Sequence, residues 1–467
     1  MPFFIKKGGK RTVNQKSKVR GRSKAVPSSR NKKNLSKKDN EELSEGSDEE
    51  LPSDDEFVGK SSDSDSELER ETPQEKRLRL AKEYLNQVEE EIDEAADSED
   101  DADGLMAQRL KHDASKLKGK HFTHIADDIL SPESDDIVIL RGHQLSLTCL
   151  VISPDNKYIY TGSKDCSIIK WNVELKKKVI TIHGGRKGTE SSHKGHTSHV
   201  LSMAISTTNK YLVSGDQTAL ILVWNPESMD LLHTFKGHKG PVTGLAFRRG
   251  CNELFSASAD KSVKVWSLDE MAYVETVFGH QDAVTSIDAM MRERAVSVGG
   301  RDNTVRVWKI VEESQFVYNG PGGSMDCVCL IDEEKFVTGS DTNQICVWKV
   351  MKKRPVATVN NAHEGDGECW INALRALRNT DLLASAGSKT GQIKLWKIPD
   401  FGPPKAIHVV PMPGFVNDLH FATGGKFLAA AVGQEHKLGR WWRLKEAKNC
   451  LAIINLPKVK TKSIVNA

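Results

Sequence analysis

Histidine, a hydroxyl residue and aspartate recur together along this chain, as His143, Thr161 and Asp165 and again as His238, Ser256 and Asp260. That trio is the composition of a nucleophilic hydrolase site, in which an acid orients a histidine that activates a hydroxyl. Three histidines, His193, His196 and His199, stand three apart in "SSHKGHTSH", a spacing that could ligate a metal from a helix. Near the C-terminus, "GQEHKLGRWWRLKEAKN" sets Trp441 and Trp442 between Arg440 and Arg443, in a chain with nine tryptophans. Aromatic rings among cations are the means by which proteins stack single-stranded bases. Each constellation also has a purely structural reading, and the elements around it decide between the two.

Those elements repeat. A "GH" is followed by an alternating apolar stretch, a small-residue turn with Asp, and a strand ending in Trp. His143 to Trp171, His196 to Trp224, His238 to Trp266 and His280 to Trp308 are each 28 residues apart. Weaker copies end at Trp348, Trp396 and the Trp441/Trp442 pair, which makes seven. Units of about 40 to 45 residues with this grammar predict four-stranded propeller blades. The chain resembles the WD-repeat family, in which His, Ser or Thr, Asp and Trp form a structural tetrad. The matching positions are His143, Thr161, Asp165 and Trp171, and His238, Ser256, Asp260 and Trp266. Sets that repeat in blade cores, with no separate oxyanion or substrate feature, are structural rather than catalytic. His196 belongs to the same ruler, and Gly, Ser and Lys around it mark a loop, so no metal or other cofactor is expected. Thr218, Thr342 and Thr390 stand where Asp is expected, Val298 replaces the hydroxyl residue, and Gly320 and Pro321 replace "GH" in the fifth unit. Those blades are expected to hold by packing alone.

The paired tryptophans can be placed by analogy. Two positions before the motif Trp, other units carry Lys264, Arg306 or Lys394, and one position before it Val265, Val307 or Leu395. Choosing Trp442 reproduces this with Arg440 and Trp441, whereas a one-residue slip reverses every face. Trp442 is therefore expected in the structural position and Trp441 between blades, with neither forming an exposed platform. "DIVILRGH" and "NCLAIINLP" compete to close the ring, and the N-terminal one is expected to supply the outer strand of the seventh blade.

Charge is segregated. Met1 to Lys38 carry 14 basic residues and no acid, and Asp39 to Asp103 carry 27 acids against six basic residues, leaving about +10 for the rest of a chain whose total is +3. The expected organisation is all-β: a seven-bladed propeller over residues 135–467, preceded by a disordered basic then acidic tail (1–70) and a helical, acidic extension (71–134) with one or two helices. In the tail there is too little to bury for folding; its basic part reads as a nuclear or nucleolar address that also grips RNA phosphates, and its Ser-acid repeats suit acidophilic kinases. No apolar run approaches the ~18 residues of a membrane span. The eight cysteines contain no CxxC and read as reduced core thiols.

"TPQEKRLRLAKEYLNQVEEEI" predicts a helix with Thr72 as cap, Pro73 in the first turn and Glu75 completing a capping box. Leu78, Ala81, Leu85, Val88 and Ile92 form one apolar stripe, a candidate partner-docking surface. A second helical stretch is expected from Leu105 to Leu117. On the propeller, Arg141, Lys194 and Lys236 precede "GH", while Lys164, Lys261, Arg301 and Lys389 flank the turn acid. In WD-repeat proteins both loop types open on one end of the ring, so seven cations on one rim point to a polyanion.

"QEKRLRLAKEYL", "LRGHQLSLTCLVISPD", "KDCSIIKW", "GLAFRRG", "SVKVW", "YVETVFGHQDAV", "GGRDNTVRVWKI" and "VGQEHKLGRWWRLKEA" are similar to the WD-repeat proteins of the U3 small nucleolar ribonucleoprotein, from about Pro73 to near the end. That resemblance implies a nucleolar RNA-binding scaffold without enzymatic activity. It would bind the box B/C region of U3 small nucleolar RNA beside a kink-turn-binding small nucleolar protein. The implied context is the small-subunit processome and its proteins, in pre-rRNA processing and small ribosomal subunit biogenesis. The competing class is a propeller adaptor such as a ubiquitin ligase substrate receptor; such receptors often carry Trp-Asp-x-Arg at blade ends, and none of the nine tryptophans here is followed by Asp.

Overall fold

The computed structural model describes residues 73–93, 106, 110 and 122–458, apart from 187, 189–192, 365–368, 389 and 400. Its strands form seven four-stranded antiparallel sheets, the blades of a propeller. Blade one runs Leu147–Ile152, Tyr158–Ser163, Ile168–Asn172 and Lys177–Ile182 from the channel outward. The first three strands of a blade are packed on both faces by neighbouring blades. They therefore read as near-continuous apolar runs, while the outermost strand alternates toward solvent. The seventh blade is closed by the N-terminal strand Ile137–Leu140, which pairs with Cys450–Asn455 from Ile137↔Ile454 to Leu140↔Leu451.

That closure moves the paired tryptophans. "NCLAIINLP" supplies the third strand of blade seven, where Ile454 faces Leu428 as Trp266 faces Leu254 in blade three. Ile454 fills the structural place, and Trp441 and Trp442 fall in the long connection between Phe427–Gly433 and Cys450–Asn455. The expectation that Trp442 is the motif residue, with Trp441 between blades, is corrected. An apolar strand satisfies a doubly buried place better than one carrying two arginines, and Trp441 is 65% exposed.

Each innermost strand carries a bulge near its start, at Leu147/Cys149, Val200/Ser202, Val242/Gly244, Val284/Ser286, Met325/Cys327, Ile371/Ala373 and Val416/Asp418. The extra residue is freed from the ladder and reaches toward the next blade. Thr285 Oγ1 donates to Met325 O at 2.6 Å, and Asn417 Nδ2 donates to Leu147 O at 2.6 Å across the closure.

The tetrads form as hydrogen-bonded units. Trp171 Nε1 donates to Thr161 Oγ1 at 2.8 Å, and Thr161 also lies 2.8 Å from His143 Nε2, whose Nδ1 is 3.4 Å from Asp165. In blade three, Trp266 Nε1 to Ser256 Oγ is 2.8 Å, His238 Nε2 to Ser256 is 2.7 Å, and His238 Nδ1 to Asp260 is 2.9 Å. Each hydroxyl thus joins an indole and an imidazole within a blade core. Two departures are corrected. In blade two, Asp216 lies 3.2 Å from His196 and takes the acid's place, with Thr218 donating to it. In blade four, Ser297 supplies the hydroxyl, 2.8 Å from His280 and 2.7 Å from Trp308 Nε1. The turn before its second strand, 290–293, is one residue shorter than 248–252 in blade three, and the next turn is one longer. The two changes cancel in the 28-residue ruler, which hides the shift. Blade six keeps His363, Ser385 and Trp396, while blade five retains only the Trp348 to Thr338 bond at 2.9 Å.

Acid should dismantle this network. Burial raises the Asp260 carboxyl, but hydrogen bonds from Ser262, the Lys239 amide and His238 outweigh it and hold the group at about 2. An unfolded aspartate titrates near 3.9, so the stabilisation is complete above that value and disappears as pH falls through about 2. Burial also lowers His238 and His280, a contribution complete above about 6.5 and lost on acidification. In urea unfolding, the stability gap between the parent and Asp260→Asn is expected to close between about pH 4 and pH 2. A gap independent of pH would mean that the carboxylate is not held by these bonds.

The helix Pro73–Asp93 begins at the expected proline. Leu78 and Leu85 are exposed along it, and the side chains of Val88 and Ile92 lie outside the described residues, as does Thr72. Of the stretch Leu105 to Leu117, only Met106 and Leu110 are described, both helical. Ahead of the closing strand, residues 122–130 already pack on blades six and seven: the amides of Ile125 and Ala126 donate to Asp381 at 2.8 and 3.0 Å, and Ala126 and Ile129 join the core. No described helix is long and apolar enough to cross a membrane.

Candidate nucleic-acid interface

The loops before the innermost strands and the turns between second and third strands are bonded together at one end of the ring. Gln144 N donates to Asp165, Lys239 N to Asp260 and Gln281 N to Asp302 at 2.9 to 3.1 Å, and Lys261 Nζ reaches Gln281 O of the next blade at 2.8 Å. Both loop types share one face.

The residues between Gly433 and Cys450 fold onto this face as an ordered loop. Gln434 N donates to Asn449 Oδ1 at 2.9 Å, Glu435 N to Ser146 Oγ at 3.0 Å, Asn417 Nδ2 to Glu435 O at 3.0 Å, and Lys437 N to Asn417 Oδ1 at 2.9 Å. Glu435 and Arg443 form a bridge that turns the chain back. The Glu435 carboxylate, 10% exposed, lies 3.0 Å from Arg440, 3.9 Å from Arg443 and 3.7 Å from Lys164. One acid thus gathers three cations and sets the two arginines on either side of the tryptophans.

Beneath them lies an aromatic stack. Trp370, just before the innermost strand of blade six, packs on Trp442 with ring centroids 4.8 Å apart and planes 30° apart. His436 meets the Trp370 edge at 5.6 Å and Trp441 at 5.9 Å, and accepts the Trp370 Nε1 proton at 3.4 Å. Burial, with Lys437 and Lys164 nearby, pushes the imidazole down to about 3, so it is neutral here. Trp441 is the exposed ring of the set. It borders a depression of about 660 Å³ at the channel mouth, together with Arg301, Asp326, Asp341, Trp370 and Lys437. Burial pushes the Asp326 carboxyl up to about 6, which lessens the negative charge there as pH falls.

The rim cations meet different fates. Arg141, Lys194, Lys236, Lys261 and Arg301 are exposed, although Lys194 pairs with Asp230 at 3.1 Å. Lys164 is corrected from a free phosphate contact to a mounting residue: it is buried, donates to Gly439 O at 3.1 Å and faces Glu435. Lys389 lies outside the described residues. Arg440 and Arg443 stood in the sequence as cations around the paired tryptophans, whereas Trp370 and Lys437 were not anticipated as members of this face. Trp370 stands off the 28-residue ruler, and that was the one available signal. His193, His196 and His199 do not converge: His196 is held in its tetrad, and among the described residues no group of three or more potential ligands gathers.

A seven-bladed ring with indole–hydroxyl–imidazole bonds and one cationic, aromatic face defines a WD-repeat propeller, and the family description "WD domain, G-beta repeat" matches residues 135–172, 188–225, 229–267 and 272–309. The chain is 51% identical to "U3 small nucleolar RNA-interacting protein 2" of Homo sapiens over 396 residues, 83% of each chain. It is 26% identical to "Ribosomal RNA-processing protein 9" of Saccharomyces cerevisiae, over 81% of this chain and 88% of that one. A solved structure titled "Structure of U3-55K" superposes with a TM-score of 0.67 at 51% identity, covering 70% of this chain and all of that one. The chain belongs to the WD-repeat family of U3 small nucleolar RNA-interacting protein 2.

Proposed function

We propose that this protein is a non-enzymatic RNA-binding scaffold of the U3 small nucleolar ribonucleoprotein, acting in the nucleolus in pre-rRNA processing. The relatives' names support the particle and the process. One observation carries the mode of binding: Trp441 is exposed on a loop pinned at both ends, with Arg440 and Arg443 held beside it by Glu435. A ring fixed in that way stacks a base without losing its own freedom on binding, and the arginines reach the flanking phosphates. The ligand is then a bulged or single-stranded segment next to a duplex, which suits the box B/C region with its kink-turn-binding protein alongside. The helix Pro73–Asp93 presents exposed Leu78 and Leu85 as the surface on which a protein of the processome docks.

Phosphate contacts are tested by salt. Replacing Lys236, Lys261 and Arg301 together by Gln should flatten the log–log dependence of RNA affinity on salt by roughly 2, at about 0.7 per single-strand phosphate contact. A slope equal to the parent's removes these residues from the interface.

A further inference from the structure

The opposite end of the channel, formed by the turns between first and second strands, holds a second cavity of about 230 Å³. Three arginines from two blades converge there. Arg249 comes from the turn after Val242–Phe247, Arg375 from the strand Ile371–Ala376, and Arg378 from the turn after it. His420 and Thr423 of blade seven complete the polar wall, and Asp288 is the carboxylate that lines it.

Asp288 is already used. Its Oδ1 accepts from Ala289 N at 3.0 Å and Arg378 Nη2 at 2.9 Å, and its Oδ2 accepts from Leu330 N at 2.9 Å. Arg375 donates through Nε to Leu419 O at 3.2 Å, beside Asp418 in the channel. Arg249 has no hydrogen bond or ion pair from its guanidinium among the described residues, although it is half-buried. A desolvated guanidinium without an anion is a costly arrangement. Two groups register the resulting field. Burial and then Arg378 lower Arg249 despite Asp288 and Glu333, and burial followed by Arg375 and Arg378 pushes His420 down to about 3. Three arginines outnumber the one acid in the lining, so the cavity is positive.

We propose that this cavity receives a single carboxylate side chain from an acidic peptide of a partner protein, gripped by the unpaired Arg249 guanidinium and flanked by Arg378. A planar guanidinium matches a carboxylate through two parallel hydrogen bonds. The surroundings select a peptide over nucleic acid. The volume admits one side chain, and Ile152, Phe247 and Leu377 contribute an apolar wall that suits a side chain better than a charged phosphate chain. The site is distinct from the RNA-facing end and stands whether or not that reading holds.

The test uses the full chain, fluorescently labelled, on an array of decapeptides that each carry one Glu in an apolar context, beside twins with Gln in its place. Retention on Glu peptides with loss of roughly 10-fold on their Gln twins, and the same loss with Arg249→Gln, is the expected result. Because the Arg249 guanidinium makes no hydrogen bond or ion pair among the described residues, and its backbone amide bond to Met290 O does not depend on the side chain, Arg249→Gln should melt like the parent. Should it not, displacement of the parent from the Glu peptides by free glutarate reads the same site without a variant. Indifference to Glu against Gln, no displacement by glutarate, or release of the bound protein by oligouridylate rather than by free Glu peptide would each overturn the proposal, the last in favour of a nucleic-acid site.

Discussion

Trp441→Ala is expected to weaken binding to the U3 box B/C RNA roughly 5- to 150-fold, the range of about 1–3 kcal/mol for one stacked base, while leaving the melting temperature as it is. The ring is 65% exposed and contributes little burial, and surface substitutions without special contacts stay within about 0.5 kcal/mol. Trp441→Phe should recover most of the affinity, since a base needs a π-face rather than an indole N–H. Glu435→Ala separates the ring from its mount. Removing an acid from an RNA-facing surface should strengthen binding if charge alone mattered. Because Glu435 holds Arg440, Arg443 and Lys164, its loss is expected to weaken binding instead. A tighter Glu435→Ala complex, or a Trp441→Ala protein with parental affinity, would remove the platform from the account.

Trp266→Ala should have the opposite profile. The side chain is 2% exposed, packs on Phe235 and Tyr273, and holds Ser256 through its indole. Truncating such a ring costs about 3–5 kcal/mol through lost burial and the cavity left behind. For a propeller whose strands run from Ile137 to Asn455, at about 2.1 cal/mol/K of unfolding entropy per residue, that corresponds to a fall in melting temperature of about 4–7 °C, readable by calorimetry. RNA affinity of the protein still folded should be retained, because blade three reaches the face that carries Trp441 only through its loops. Two tryptophans of one chain are thus expected to divide stability from binding, and a Trp266→Ala protein that melts like its parent would contradict the tetrad's structural role.

The difference between these rings also shows where sequence reading reaches its limit. His143, His196, His238 and His280 lie on a fixed spacing to their tryptophans, and that spacing is local: each blade closes its own hydrogen bonds within some 28 residues. The architecture and the blade count followed from that spacing and its weaker copies, whereas the closing strand did not: two segments competed for it, and the structure gives the place to Ile137–Leu140. The same locality concealed the compensated turns of blade four, where Ser297 rather than Val298 carries the hydroxyl. It also concealed Asp216, which serves His196 from two residues ahead of the expected place. Hydrogen bonding selects for where an atom arrives, and more than one register can deliver it.

By itself the sequence determined a repeat of apolar strands and polar turns, because alternating burial and turn chemistry are written residue by residue. It also placed cations in two kinds of loop, those before "GH" and those beside the turn acid. Only the tertiary structure decided which cations are available and which rings are exposed. Lys164 is turned inward and Trp441 outward by one carboxylate, Glu435, which lies 271 positions from the lysine. Trp370 and Trp442 meet only because blades six and seven are neighbours in the ring. The Trp-Trp pair satisfied the local pattern of a third strand, yet Cys450–Asn455 took that place because it must be packed on both faces, and "CLAIIN" can be buried there at less cost than a segment carrying Arg440 and Arg443. Both competitors lie within one short window, but the faces that bury the winner, such as Leu382, Ala384 and Leu395 of blade six around Ile454, are remote in sequence, so only the assembled ring settles the choice.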